Sequence, residues 1–100
     1  MGYRIVFSGQ ADRDLEAIVR FLAQKNRPAA EHLGHALLNT VFSLREFPHR
    51  GSVVLSRPKF RRIVHRPWHL IFFKVDDRNQ VVEIARIWDA RQDPGLLKLD

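Results

Sequence analysis

The sequence predicts an α+β domain: an N-terminal strand, an antiparallel helical hairpin, then three to four mostly antiparallel strands that complete one sheet. Three observations predict it. Two consecutive segments repeat apolar residues at helical spacing. Residues 60–91 read as three successive strands separated by turn-forming residues. Each helix needs an apolar surface to lie on, and the strand block supplies one. One hundred residues suffice for a single core, so residues 1–100 are read as one domain.

Tyr3-Arg-Ile-Val-Phe7 mixes β-branched and aromatic residues and reads as a short strand. Ser8 stands where a helix N-cap belongs, and Asp12 and Asp14 complement the dipole of the helix that follows. Ala11, Leu15, Ile18, Val19 and Leu22 form its apolar stripe, and the helix is expected to stop near Lys25-Asn26-Arg27. Pro28 suits the first turn of a second helix. Its stripe is Ala30, Leu33, Leu37, Val41 and Leu44, widened by Leu38 and Phe42, and Pro48 ends it.

After the turn His49-Arg-Gly-Ser52, Val53-Val-Leu55 is read as a short edge strand or an extended loop. Lys59–His65 mixes basic and apolar positions, Trp68–Val75 is almost wholly apolar, and Val81–Asp89 is apolar apart from Glu83, Arg86 and Asp89. Pro67 marks one turn and Asp76-Asp77-Arg78-Asn79 the next. A strand apolar on both faces, such as Leu70-Ile-Phe-Phe73, belongs at the centre of its sheet. The tail, Gln92-Asp-Pro-Gly95 and Leu96–Asp100, is expected to break the last strand and add one short helical turn.

The net charge of +6 is unevenly placed. Over residues 8–47, Arg13, Arg20, Lys25, Arg27 and Arg45 balance Asp12, Asp14, Glu16, Glu31 and Glu46. Residues 48–75 hold Arg50, Arg57, Lys59, Arg61, Arg62, Arg66 and Lys74 with no Asp or Glu. A basic cluster on strands points to a polyanion or an acidic protein as partner. No apolar run approaches the roughly 18–20 residues that span a bilayer, so no membrane association is expected. The absence of cysteine excludes disulfides and thiolate metal sites and suits a reducing cytoplasm. The opening Met-Gly-Tyr-Arg leads straight into a strand and carries no signal-peptide pattern.

Candidate chemistry centres on arginine. No phosphate-binding glycine pattern is present, and no cofactor is expected. His32 and His35 lie three apart on a helix without a third ligand, so no metal site is expected. Strict alternation puts Arg62 and Val64 on one face of their strand and Arg61, Ile63 and His65 on the other. By the same rule Val82, Ile84, Arg86 and Trp88 share one face of the last strand, and Val81, Ala85, Ile87 and Asp89 the other. Arg86, among apolar neighbours, either pairs with Glu83 or Asp89, snorkels to the sheet edge, or grips a phosphate or carboxylate. Trp68 and Trp88 are base-stacking platforms or core packing. His69 is either an acid–base group or hydrogen-bonded filler.

Several segments resemble the RelE/ParE-family toxins of bacterial toxin–antitoxin pairs. They are Tyr3-Arg-Ile-Val-Phe-Ser8 with Ala11, Asp14-Leu15 and Ile18; Leu44-x-x-Phe-Pro48; Phe60-Arg-Arg-Ile63; Trp68-His-Leu-Ile-Phe-Phe73; and Val82-x-Ile-x-Arg-Ile-Trp-Asp-Ala-Arg-Gln-Asp-Pro94. The resemblance covers residues 3 to about 95 in one continuous order. It implies a small cytoplasmic growth-inhibiting toxin neutralised by an acidic, amphipathic antitoxin, as a toxin–antitoxin heterotetramer or a toxin dimer.

The resemblance leaves two activities open. A RelE-like toxin cleaves messenger RNA on the ribosome; here that chemistry would fall to Arg61, Arg62, His69, Arg86, Asp89 and Arg91. A ParE-like toxin poisons DNA gyrase and is not a nuclease. The only tyrosine is Tyr3, and Asp89 stands where the family often has His. An aspartic acid with a pKa near 4 is a poor proton donor at neutral pH. The ParE-like activity is therefore favoured, with Arg57, Lys59, Arg61, Arg62, Arg66, Arg86, Trp88 and Arg91 as the surface that meets the target.

Overall fold

The computed structural model describes residues 2–99. Its five-stranded sheet has the order β1-β5-β4-β3-β2, with β1 (Arg4–Phe7) parallel to β5 (Val81–Asp89). Strands β2 (Ser52–Val53), β3 (Arg61–His65), β4 (His69–Asp76) and β5 are joined antiparallel. The doubly apolar β4 occupies the centre, as its composition requires. The expected edge strand proves to be only two residues long, and Leu55 lies outside it in a loop.

Both helices start on side-chain caps. Ser8 Oγ accepts from the Ala11 amide at 3.0 Å to open α1 (Gly9–Ala23). Asn26 Oδ1 accepts from the Ala29 amide at 3.0 Å to open α2 (Arg27–Phe42). The caps satisfy amide groups that the first helical turn leaves without an intrahelical acceptor. Ser8 also ties the helix to the sheet, because its hydroxyl donates to the Ala85 carbonyl at 2.9 Å. Phe42, expected to widen the second stripe, instead stays about half exposed at the end of α2.

The hairpin covers one sheet face, where Ala11, Leu37, Val41 and Leu44 meet Ile63, Ile71, Phe73, Val82, Ile84 and Ile87. A smaller cluster fills part of the opposite face, where Leu99, with Leu97 and Val54 beside it, lies over Phe60, Phe72, Ala85 and Trp88. The short helical turn Pro94–Leu96 directs the tail back onto the sheet.

Strict alternation fails along β5, and the cause is a β-bulge. Phe73 pairs with Ile84 while its neighbour Phe72 pairs with Arg86, leaving Ala85 as the extra residue. Val82 and Ile84 face the helices, but beyond the bulge so do Ile87 and Asp89, whereas Arg86 and Trp88 face away. The expected grouping of Val82, Ile84, Arg86 and Trp88 is therefore split in two. The bulge also sets where the charged side chains at the end of β5 project.

Candidate functional site

The acid-free segment supplies β2, β3 and most of β4, and its basic side chains have separate fates. Arg61 is occupied internally. Its Nη2 donates to the carbonyls of His49 at 2.6 Å and Gly51 at 3.3 Å, and its Nε donates to that of Arg50 at 3.5 Å. The guanidinium thus straps down the loop leading into β2. Lys74 pairs with Glu83 across β4 and β5 at 3.2 Å, and its ammonium lies 5.4 Å from the Phe60 ring centroid. Arg57, Lys59, Arg62 and Arg66 are exposed and form no ion pair among the described residues. They flank or lie on β3, with Arg62 pointing away from the helices beside the exposed Val64.

Arg86 faces neither of its expected partners. It makes a two-pronged ion pair with Asp14 of α1, Nε to Oδ2 at 2.8 Å and Nη2 to Oδ1 at 3.0 Å, with both side chains nearly buried. Asp14 Oδ2 also accepts from the Ile87 amide at 3.0 Å. That amide lies beyond the end of β1, where β5 has lost its neighbour, so the carboxylate takes over as acceptor. Arg86 is a cross-link between helix and sheet and has no free fork to offer a ligand. Trp88 is also withdrawn from the predicted contact surface, because it is buried in the smaller cluster.

At the far end of β5, Arg91 closes on Asp89. Its Nε donates to Oδ1 at 3.0 Å and its Nη2 to Oδ2 at 2.6 Å, while its guanidinium carbon lies 4.1 Å from the Trp68 ring centroid. The Arg91 hydrogen bonds hold Asp89 below the usual carboxylate range and raise the arginine above its own. Behind them, His65, His69 and Asp89 form a row across three adjacent strands on the face toward the helices. His65 Nδ1 lies 3.0 Å from Thr40 Oγ1 of α2. His69 is buried, its Nδ1 has no partner, and desolvation lowers the pKa of its ring, so it is neutral at pH 7.

Sequence reading missed one further trio. Asp77 accepts from Tyr3 Oη at 2.7 Å and lies 2.7 Å from His49 Nε2. These contacts lower the Asp77 pKa and raise that of the tyrosine, which leaves Tyr3 protonated at neutral pH and not available as a base. No sequence spacing could join residues 3, 49 and 77. The nearby cleft of about 590 Å³ is lined by Lys59 and Lys74 but also by Asp76, Asp77 and Glu83, so it is no anion pocket. His32 and His35 are exposed, and no group of three metal-ligating side chains occurs among the described residues. Among the described residues no helix is long and apolar enough to cross a membrane.

Residues 5–94 match the family model of the ParE toxin of the type II toxin–antitoxin system parDE. The chain belongs to the ParE toxin family. Solved structures share its fold. A chain of the chromosomal ParDE system of P. aeruginosa is 20% identical with a TM-score of 0.74, covering 87% of this chain and 95% of that one. A chain of the RelBE2 toxin–antitoxin complex of Mycobacterium tuberculosis is 21% identical with a TM-score of 0.65, covering 89% and 99%. A double arginine-to-alanine mutant of E. coli RelE in the free state is 18% identical with a TM-score of 0.57, covering 90% and 85%. No curated protein sequence matches the chain.

For this ParE-family chain the predicted contact surface contracts. Arg61, Arg86 and Arg91 are tied to carbonyls or carboxylates, and Trp88 is buried. What remains exposed and without an ion partner is Arg57, Lys59, Arg62 and Arg66.

Proposed function

We propose that the chain is the toxin of a type II toxin–antitoxin pair and that it inhibits DNA gyrase by protein contact, in the cytoplasm, without cleaving nucleic acid. The carrying observation is the state of the groups a nuclease would use. Phosphoryl-transfer chemistry needs free guanidinium groups at the phosphate and a side chain able to exchange a proton near pH 7. Of the four candidate arginines, Arg86 is committed to Asp14, Arg91 to Asp89 and Arg61 to three carbonyls, which leaves Arg62 alone free among the described residues. Asp89 is held ionised, and Tyr3 is hydrogen-bonded at the other end of the sheet. Membership of the ParE family supports the same activity.

An acidic antitoxin suits the cations on and beside β3, because the unpaired charge of Arg62 and Arg66 offers it complementary partners. Such an antitoxin would silence the toxin within a heterotetramer or by displacing a toxin dimer. Inducing the toxin with and without its antitoxin, and following labelled precursors, tests the activity. DNA synthesis should stop before protein synthesis, and an arrest that begins with translation would reject the proposal.

A ribosome-dependent endoribonuclease is the second reading, favoured by the buried His69 next to Asp89 with an unoccupied Nδ1. It requires new 5′ ends on messenger RNA after induction.

A further inference from the structure

Among the described residues the most exposed large apolar side chain is Leu55, at 91% of its full accessibility; the next, Phe47, stands at 66%. Single exposed leucines are common and need no explanation by themselves. The loop that carries this one is built. Two consecutive turns are closed by Arg57 N–H to the Val54 carbonyl at 3.0 Å and Phe60 N–H to the Arg57 carbonyl at 2.9 Å. Pro58 takes the second position of the second turn, which its fixed φ favours. Val54 N–H to the Phe60 carbonyl at 2.9 Å then closes the base of the loop. Phe60 is buried in the smaller apolar cluster, and Val54 packs against it. Leu55 is thus held outward on a loop with two apolar feet.

The loop itself carries charge of one sign, and carboxylates come near it only on the Lys59 side, where that lysine shares a cleft with Asp76, Asp77 and Glu83. Arg57 and Lys59 belong to the same loop, Arg62 follows on β3, and no acidic residue occurs between Glu46 and Asp76. By contrast, the exposed Phe21 on α1 already has the Lys25 ammonium 5.1 Å from its ring centroid. An apolar tip inside a basic collar complements an apolar socket with an acidic rim. Its convexity matters too: a helical segment laid along a toxin needs a groove, whereas a projecting tip fits a recess in a larger folded partner. A loop already fixed by its own hydrogen bonds loses little entropy on docking.

We infer that the loop of residues 54–60 docks Leu55 into an acidic-rimmed apolar socket on the toxin's target protein, with Arg57 and Lys59 pairing to the rim. The inference rests on the proposed action on gyrase and assigns the contact to this loop rather than to the strands alone.

The test compares purified wild type with Leu55→Asp, Leu55→Met and the surface control Phe21→Asp. The readouts are gyrase supercoiling and antitoxin binding, with circular dichroism to confirm folding. Leu55→Asp should raise the concentration for half-inhibition by at least about tenfold, as loss of a buried contact anchor does. Phe21→Asp should stay near wild type, Leu55→Met, which keeps an apolar tip, should lose less than Leu55→Asp, and all variants should still bind antitoxin. If Leu55→Asp inhibits as well as wild type, the loop assignment falls and the gyrase activity stands. If it inhibits normally but loses antitoxin binding, the loop belongs to the antitoxin and the inference is overturned. If wild type itself leaves supercoiling untouched, both readings fall.

Discussion

Asp14 and Arg86 lie 72 residues apart in sequence, yet their carboxylate and guanidinium meet at 2.8 and 3.0 Å and lock the first helix to the last strand. The pair sits where β1 ends and β5 continues with β4 on one side only, so the same carboxylate also satisfies the Ile87 amide. An arginine that looks like a ligand-binding residue in sequence is therefore a structural member of the fold.

Replacing Asp14 with Ala should leave Arg86 charged, nearly buried and unpaired, which costs about 3 kcal/mol. The double replacement Asp14→Leu with Arg86→Met should recover much of that loss, because it removes the uncompensated charge. Urea denaturation of wild type and the two variants measures the difference; a double variant no more stable than Asp14→Ala would contradict the pairing.

Gly51 has φ of +86°, and a Cβ there would come within 2.3 Å of the Arg62 carbonyl oxygen and 2.5 Å of Ile63 Cγ2. Gly51→Ala should destabilise the protein by about 2 kcal/mol, from left-handed strain plus a clash with backbone. Thermal unfolding should fall by about 10 °C for a chain of this size. An unchanged melting temperature would mean that the loop at β2 does not hold this geometry.

His69 has a folded-state pKa below its unfolded value, because burial disfavours the charged ring. Its neighbours divide: Asp89 opposes the shift, while His65 and Arg91 assist it. The neutral ring fits the fold, so stability is full above the unfolded pKa of about 6.5 and declines as pH falls below it, levelling off under the folded pKa. Denaturation at pH 7.5 and 5.5 should show this loss in wild type and a smaller one in His69→Phe.

Asp89 titrates lower in the fold than in the unfolded chain, chiefly through the Arg91 hydrogen bonds. Its stabilisation is present above the unfolded pKa of about 4 and disappears as pH drops through the folded value. Arg91→Ala should therefore weaken stability at pH 7 only slightly, since the arginine is exposed, and should shift tryptophan fluorescence by baring Trp68. An unchanged emission spectrum would count against the stacking.

The helical hairpin was readable because Ala11, Leu15 and Ile18 in one segment, and Leu37, Val41 and Leu44 in the other, repeat at the spacing a helix must have to bury one face. Strand β4 was equally plain, since Ile71, Phe72 and Phe73 can be buried together only with cover on both sides. Alternation could not reveal the bulge at Ala85, because the extra residue is a property of pairing between strands. Nor could it assign Arg86 to Asp14, Arg61 to the carbonyls of residues 49–51, or Arg91 to Trp68. Each of those contacts depends on where distant segments meet, and together they decide which basic groups stay available.

Supercoiling by purified DNA gyrase, measured with and without the purified toxin, tests the central claim most directly. Supercoiling should stall at micromolar toxin and resume when antitoxin is added. Undiminished supercoiling at that concentration, together with new 5′ ends on messenger RNA in induced cells, would contradict it.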